Sequence, residues 1–228
     1  MTPILIIWMG VPAAIAVGTD LVYTAVTRSV GSVVHLRQKT VNMEAVRWLA
    51  TGSVPAALIT TILVAYFLTS AKNYTQGFIT QALAAVLFIV AVSLLLRPWY
   101  QDRLKDISVR HRHTWAVVVG VLVGALVALT SVGGGSLTLV ALVVLFRITS
   151  TSETVGTDVV HSALLTLAAA AARLFTTTVD FHIAALLIVG SLPGVIIGSR
   201  VTVHVPETAL RVGLAGTLGF VAFRLILP

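Results

Sequence analysis

The chain has 228 residues, of which 57% are hydrophobic and only 10% are Asp, Glu, Lys or Arg. A soluble domain carries roughly 25% charged residues, so this composition excludes an ordinary water-soluble globule and favours an integral membrane protein. The net charge of +7 sits in short segments between apolar runs, where it acts as a topology signal, and we therefore exclude a nucleic-acid-binding role. The chain has no cysteine, which excludes disulfides and thiolate sites, and we expect neither a cofactor nor a metal site.

Apolar runs follow one another along the chain, and a helix needs about 20 residues to cross the hydrocarbon core. The runs lie at 2–9, 13–35, 45–68, 77–96, 115–128, 137–147, 154–173, 183–199 and 209–227. They predict an all-α polytopic membrane protein with about seven or eight transmembrane helices. Met1 leads directly into the first run without a basic segment or a cleavage site, which favours an entry into a span over a signal peptide.

A run of small residues separates the fifth apolar run from the sixth. Three glycines, Gly133, Gly134 and Gly135, are followed there by Ser136. The pattern predicts one broken helix or a re-entrant element, because irregular backbone at membrane depth survives only where it is buried or lines a cavity. Glycines at a helix break let backbone N–H groups converge on a small oxyanion, so we place substrate binding at these four residues. Close packing of helices by small residues is the structural alternative.

The most polar stretch of the chain is residues 97–114, where Arg, Lys and His outnumber two aspartates. An excess of Arg and Lys marks the cytoplasmic side of a membrane protein, so we interpret this stretch as a cytoplasmic basic loop. The predicted organisation is therefore a first repeat over 1–96, the loop over 97–114 and a second repeat over 115–228.

Two short motifs occur twice, with the second copy 138 positions after the first. The pairs are Gly18-Thr19-Asp20 with Gly156-Thr157-Asp158, and Gly52-Ser53-Val54-Pro55 with Gly190-Ser191-Leu192-Pro193. Two motifs in one register indicate an internal duplication, as in many secondary transporters whose substrate site lies where the repeats meet. Met1 aligns with Leu139 at this offset, so we expect an N-terminally truncated first repeat, and a start on the outer side of the membrane.

The distribution of positive charge predicts how the repeats sit in the membrane. With the central loop inside, the segment from Arg37 to Arg47 falls inside, and the same alternation places Arg173 and Arg224 there. This favours parallel repeats of four helices each, although a re-entrant glycine segment would make them inverted. His35 and Arg173 would then lie at the cytoplasmic ends of matched helices, where long side chains snorkel to the headgroups.

Ionisable side chains inside apolar runs are expensive, so each one indicates a function or a buried partner. Asp20 and Asp158 are candidates for proton or cation coupling, with a helix N-cap role as an equal alternative. Arg28 follows Asp20 by about two helical turns, where it can pair with Asp20 or attract a substrate anion. His161 follows Asp158 by three residues and is a secondary candidate for a proton relay.

The remaining residues of the duplicated motifs complete the predicted site. Gly18, Thr19, Gly156 and Thr157 are added to the substrate-binding set, because they match one another in the two repeats. The prolines of the second motif lie in mid-span and should kink or break their helices, either as hinges or as static shape. They are Pro55 and Pro193.

The order, spacing and duplication of these motifs resemble the TauE/SafE family of sulfite and organosulfur-anion exporters over essentially the whole chain. The resemblance implies an inner-membrane permease that moves small sulfur-containing anions, such as sulfite or sulfoacetate, out of the cytoplasm. The implied partners are a small anionic solute and the lipid bilayer, and self-association into a homo-oligomer stays open.

Other functional classes explain the sequence less well than a secondary transporter. An intramembrane enzyme would show a compact catalytic motif such as HExxH or GxSxG, and the sequence has neither. A small-solute or anion channel is the main alternative, because a pore can also use repeats and glycine turns. A non-transporting membrane subunit is the other.

Overall fold

A computed structural model describes residues 1–70, 92, 111–131, 134–148, 150–176, 179–202, 216 and 220. The regular elements in these ranges are all α-helices. They are α1 (Thr2–Ile7), α2 (Ala13–Arg37), α3 (Met43–Ser70), α4 (Arg112–Thr130), α5 (Gly134–Phe146), α6 (Thr151–Thr176) and α7 (Phe181–Thr202). The predicted all-α class is confirmed. Apart from residues 92, 216 and 220, the runs at 77–96 and 209–227 lie outside the described residues, as does the basic loop up to residue 110.

Three of these helices contain segments long and apolar enough to cross a bilayer, at Met43–Tyr66, Arg112–Thr130 and Ser152–Phe175. Shorter apolar segments lie at Leu137–Phe146 and Phe181–Ser191. The Ser152–Phe175 segment is 67% buried, against 33% for Met43–Tyr66, so α6 lies at the centre of the bundle.

The helices turn apolar side chains outward and keep polar side chains inside. Exposed apolar residues include Leu63, Leu122, Phe175 and Val189. The buried polar and charged set includes Thr19, Asp20, Ser53, Thr157, Asp158, His161 and Arg173. An apolar exterior around a polar interior suits a chain surrounded by lipid, because polar groups inside a bilayer must face protein or a cavity.

The helices α3 and α7 begin in the same way. Asn42 and Asp180 are their N-cap residues, and each side-chain oxygen accepts the backbone N–H three residues later, from Ala45 at 3.0 Å and from Ile183 at 2.9 Å. Asn and Asp are preferred N-caps because they satisfy a free N–H of the first turn. Both pairs of positions are separated by the 138-residue offset of the duplicated motifs.

The central pair of helices, α2 and α6, is antiparallel. Near the end of α2, a Cβ added to Gly156 on the second turn of α6 would lie 3.1 Å from the Nδ1 of His35. Near the start of α2, the hydroxyl of Thr19 accepts the N–H of Asp180, which follows α6. Since α2 and α6 carry the matching motifs, the two halves of the chain are inverted relative to each other, and the expectation of parallel repeats is wrong.

The error came from the segment between the fifth and sixth apolar runs. Leu137, near the start of α5, packs on the cluster that contains Val123 and Val127 of α4. Leu142, closer to the end of α5, packs with Ala116 near the start of α4. The helix α5 therefore runs back along α4 instead of continuing it, and this additional reversal inverts the direction of α6.

Arg173 consequently lies at the opposite end of the bundle from the basic start of α4. Its side chain is 1% exposed, and its Nη2 donates to the carbonyl oxygen of Ala128 at 3.0 Å, near the end of α4. The expectation that Arg173 snorkels to the cytoplasmic headgroups is wrong, because the guanidinium is buried against a helix end whose free carbonyls attract a cation.

The helices α3 and α4 run parallel and touch backbone to backbone. At their starts, Glu44 Oε1 accepts a hydrogen bond from Arg112 Nη2 at 2.8 Å and lies 2.9 Å from His113 Nε2. Farther along, Cβ atoms added to Gly52 or Gly124 would collide with carbonyl oxygens of the facing helix. Small residues at helix crossings permit this close approach in membranes.

The two motif prolines do not break their helices. The backbone of α3 remains helical through Pro55, and that of α7 remains helical past position 193. Of the predicted kink or break at Pro55 and Pro193, the break is excluded, while a kink and a role as hinges stay predictions.

Candidate functional site

The duplicated Gly-Thr-Asp motifs lie at opposite ends of the antiparallel contact between α2 and α6, which we call the junction. Thr19 contacts Asp180 after α6, and Asp158 contacts Arg28 on a later turn of α2. Asp20 and Asp158 are each the eighth residue of their helix, about two turns after its start. Neither aspartate is the N-cap of its own helix, since capping residues precede the first helical residue, but Asp20 accepts the free N–H of Thr2 in the first turn of α1.

The two motif threonines tie the halves of the chain together. The hydroxyl of Thr157 accepts the N–H of Asn42 at 2.9 Å, and that of Thr19 accepts the N–H of Asp180 at 3.1 Å. Each central helix thus holds the N-cap residue of a helix in the other half. These hydroxyls are 0% exposed, so their observed role is structural, and contact with a substrate stays a prediction.

The motif glycines are also buried at this junction. Gly156 packs so closely on the carbonyl of Thr40 that an added Cβ would collide with it. Gly18 is buried beside Thr19 on α2. The close approach at Gly156 explains its residue type by packing, because any side chain there would push α6 away from the loop after α2.

Asp20 is held by donors from the first two residues of the chain, at the start of α1. Its Oδ2 accepts the backbone N–H of Thr2 at 2.8 Å and the Thr2 hydroxyl at 2.6 Å, and the amino group of Met1 lies 3.2 Å away. The carboxylate is 2% exposed. The expected pairing of Asp20 with Arg28 is wrong.

Arg28 reaches instead across the junction to Asp158 of the other half. Its Nη1 lies 3.4 Å from Asp158 Oδ2, and its side chain is 36% exposed. The antiparallel packing explains this partner, because the later turns of α2 face the earlier turns of α6. The other oxygen of Asp158 lies 3.5 Å from the hydroxyl of Ser162.

The start of α5 lies against the same carboxylate. The chain breaks after α4 at Ser131, which has a left-handed φ of 57°, and α5 begins at Gly134. The predicted interruption is confirmed. A Cβ on Gly135 would lie 3.5 Å from Asp158 Oδ2, so the positive N-terminal end of α5 faces an anion supplied by the chain. Gly133 and the side chain of Ser136 lie outside the described residues.

His161 lies one turn after Asp158 but binds a different helix. Its Nε2 is 2.9 Å from the hydroxyl of Ser53 on α3, and its side chain is 0% exposed. Its Nδ1 has no hydrogen-bond partner among the described residues. His161 therefore connects α6 to α3, and a direct relay with Asp158 stays a prediction.

Sequence reasoning missed three contributors to this junction: Ser53, Asn42 and Asp180. Ser53 belongs to a duplicated motif, and Asn42 and Asp180 are cap-forming residues at matched positions before apolar runs. A search for N-caps at the 138-residue offset would have found the last two.

The assembled groups include a guanidinium and the start of a helix, and groups of both kinds can bind an anion. The Arg28 guanidinium and the start of α5 lie against the Asp158 carboxylate at the contact of α2, α5 and α6, and the buried His161 lies one turn farther along α6, bonded to α3. Among the described residues, no three His, Cys, Asp or Glu side chains come together in a way that could hold a metal.

Comparison with known proteins gives two matches over nearly the whole chain. A family model described as "Sulfite exporter TauE/SafE" matches residues 1–225. The "Probable membrane transporter protein YjnA" of Bacillus subtilis (strain 168) is 35% identical over 231 residues, which cover 99% of this chain and 90% of that protein. No solved structure matches the chain.

Proposed function

This chain belongs to the sulfite exporter TauE/SafE family of membrane transporters, and on that premise we propose that it exports a small anion, sulfite or an organosulfur anion. The family resemblance of its motifs is thereby confirmed, and the protein is a transporter and not an enzyme. We place it in the cytoplasmic membrane as a multi-pass protein that moves its anion out of the cytoplasm.

The observation that carries the anion proposal is the position of Arg28. A guanidinium in the middle of a bundle is expensive unless it meets an anion or water. Arg28 stands at the junction of the two halves, with 36% of its side chain exposed and with one ion pair, to Asp158, among the described residues. Its planar fork of donors suits the oxygens of a sulfite or sulfonate group.

The surrounding backbone supports the same site. Discontinuous helices in transporters commonly direct their N-terminal ends at anionic substrate groups near the meeting point of inverted repeats. Here the start of α5, at Gly134 and Gly135, lies beside the Arg28–Asp158 pair. We propose that these glycines face the substrate, while the glycines and threonines of the duplicated motifs shape the cavity around it.

The test is a flux measurement on the purified full-length chain in liposomes loaded with sulfite, sulfoacetate or thiosulfate under anaerobic conditions. We expect saturable efflux of at least one of these anions, and none from liposomes without protein. Folded protein that moves none of them would end the sulfur-anion proposal. Currents far above carrier turnover would instead identify an anion channel.

A further inference from the structure

We propose that Asp158 competes with the substrate for Arg28. The Asp158 carboxylate pairs with the guanidinium when no substrate is bound, and this ion pair breaks when an anion binds to Arg28. This inference rests on the proposed function and adds to it the group that sets how tightly the anion is held. The argument depends on how loosely Asp158 is bound and on how differently its counterpart Asp20 is bound.

The bond between Arg28 and Asp158 is long for an ion pair. A charge-assisted N–H···O bond between such groups is typically about 2.7–2.9 Å. Here a single Nη1–Oδ2 contact measures 3.4 Å, and the other carboxylate oxygen has only the Ser162 hydroxyl at 3.5 Å. Neither oxygen of Asp158 has a short bond to a described residue, so little holds the carboxylate in its present position.

Arg28 has capacity for another anion. A guanidinium carries five N–H donors, and the only hydrogen bond that Arg28 makes to the described residues is the one to Asp158. Its side chain is 36% exposed, whereas the Asp158 side chain is 12% exposed. The guanidinium is therefore the more accessible of the two groups.

Asp20 shows what a permanently engaged carboxylate looks like in the same fold. It occupies the matching position of α2, and it accepts two bonds of 2.6 and 2.8 Å from Thr2. The position that matches Arg28 in the other half is Thr166, whose hydroxyl donates to the carbonyl of Ser162 at 2.7 Å. Only the Asp158 side of the duplication thus combines a loosely held carboxylate with a cation.

The neighbouring groups can serve the anion once Asp158 releases Arg28. The start of α5 at Gly135 already faces the Asp158 carboxylate, and this end of a helix favours any negative group. One turn along α6, the buried Nδ1 of His161 has no partner among the described residues and can donate in the corresponding tautomer.

Competition follows from repulsion between like charges. An ionised Asp158 and an oxyanion bound to the same guanidinium repel each other, so each weakens the binding of the other to Arg28. The carboxylate keeps Arg28 paired in the empty transporter and keeps the substrate bound weakly enough to leave. Removing the carboxylate charge should therefore tighten anion binding while it slows release.

The experiment is anaerobic isothermal titration calorimetry of the full-length chain in detergent with sodium sulfite, sulfoacetate and thiosulfate. We expect Asp158→Asn to lower the Kd of the bound anion about tenfold and to slow its efflux from liposomes. The matched control is Asp20→Asn, which we expect to bring no gain in affinity, because no guanidinium faces that position. Unchanged or weaker binding by folded Asp158→Asn would overturn the proposal.

A second variant covers the case in which loss of one charge disturbs the fold. The double variant Arg28→Gln with Asp158→Asn removes both charges together. We expect it to fold, and we expect its Kd for the anion to be at least about hundredfold higher than that of the wild-type chain. Wild-type affinity in the double variant would show that Arg28 does not bind the substrate and would overturn the proposal. Failure of the wild-type chain to bind any of the three anions would count against the proposed function instead.

Discussion

The two halves of the chain share the same hydrogen bonds between helices but differ in the groups that bind their motif aspartates. In both halves, a motif threonine accepts the N–H of an N-cap residue, at 2.9 Å for Thr157 and at 3.1 Å for Thr19. The aspartate that follows each threonine is bound differently: Asp20 by the Thr2 hydroxyl and N–H at 2.6 and 2.8 Å and by the Met1 amino group at 3.2 Å, and Asp158 by a guanidinium at 3.4 Å.

The difference shows which parts of a duplicated motif maintain the fold. The hydrogen bonds between a motif threonine and an N-cap residue occur in both halves, because each half needs the same helix packing. The Arg28 guanidinium has no counterpart in the other half, where the matching position is Thr166, whose hydroxyl bonds within its own helix. An anion site at the meeting point of two halves needs one guanidinium, and a second one would add a buried charge to be paired.

The largest expected effect comes from glycines that match in sequence but not in surroundings. A Cβ on Gly52 would collide with a backbone carbonyl of α4, whereas one on Gly190 meets no described atom within 4 Å. We expect Gly52→Ala to lower the free energy of unfolding by about 3 kcal/mol, the upper end of overpacking costs. Gly190→Ala should be neutral or stabilising by up to about 1 kcal/mol. Denaturation in mixed micelles, followed by circular dichroism, measures both, and equal losses would contradict the asymmetry.

We expect a smaller difference in stability between alanine variants of the two aspartates. Asp20→Ala removes the acceptor of two short buried bonds and should cost about 3 kcal/mol in stability if each contributes near the lower end for charged groups. Asp158→Ala leaves Arg28 partly exposed and able to meet water, so we expect a loss of about 1 kcal/mol or less. The same denaturation experiment compares them. A larger loss for Asp158→Ala would mean that its ion pair is a main support of the fold.

Substitution of either motif threonine should lower the free energy of unfolding by the same amount. Thr19→Val and Thr157→Val each leave a backbone N–H of the other half without its acceptor, and each should cost about 1–2 kcal/mol. We expect the two losses to agree within about 0.5 kcal/mol, because the bonds differ in length by only a little. Unfolding midpoints of the single variants measure this. A loss at only one position would show that the helix packing itself is asymmetric.

The smallest effect on stability is expected at the start of α5. A Cβ on Gly135 would lie 3.5 Å from Asp158 Oδ2, which is an ordinary contact. Gly135→Ala should therefore change stability by less than about 1 kcal/mol, with the gain in helix propensity offsetting the tighter fit. Its sulfite Kd should rise severalfold, because the methyl group occupies space beside the proposed anion site. Unchanged affinity would place the substrate elsewhere.

The sequence was sufficient to predict the membrane class and the helical fold, and it also proposed a register for the duplication. Apolar runs have the length of helical spans, and two motifs at one offset of 138 residues define a register without any structural information. The interruption after Thr130 was also predictable, because Gly133, Gly134 and Gly135 weaken a helix together.

The direction of the chain after that interruption was not predictable in the same way. Three glycines permit a helix to continue at an angle or to fold back, and packing of Leu137 and Leu142 on α4 decides between them. The partner of Arg28 depended on this choice. Helical spacing placed Arg28 on the same helix as Asp20, but only the antiparallel approach of α6 brings Asp158 within reach.

The hydrogen bond from Asp180 to Thr19 joins residues that are 161 positions apart, and this sets a delay during biosynthesis. At a synthesis rate of about 5–20 residues per second, Thr19 waits roughly 8–32 s after its own incorporation before its partner is made. The helix α2 therefore enters the membrane with Thr19 lacking this partner, whereas Thr2, which binds Asp20, is made before α2. A chaperone or protease that monitors nascent membrane proteins has this interval in which to recognise the unfinished first half.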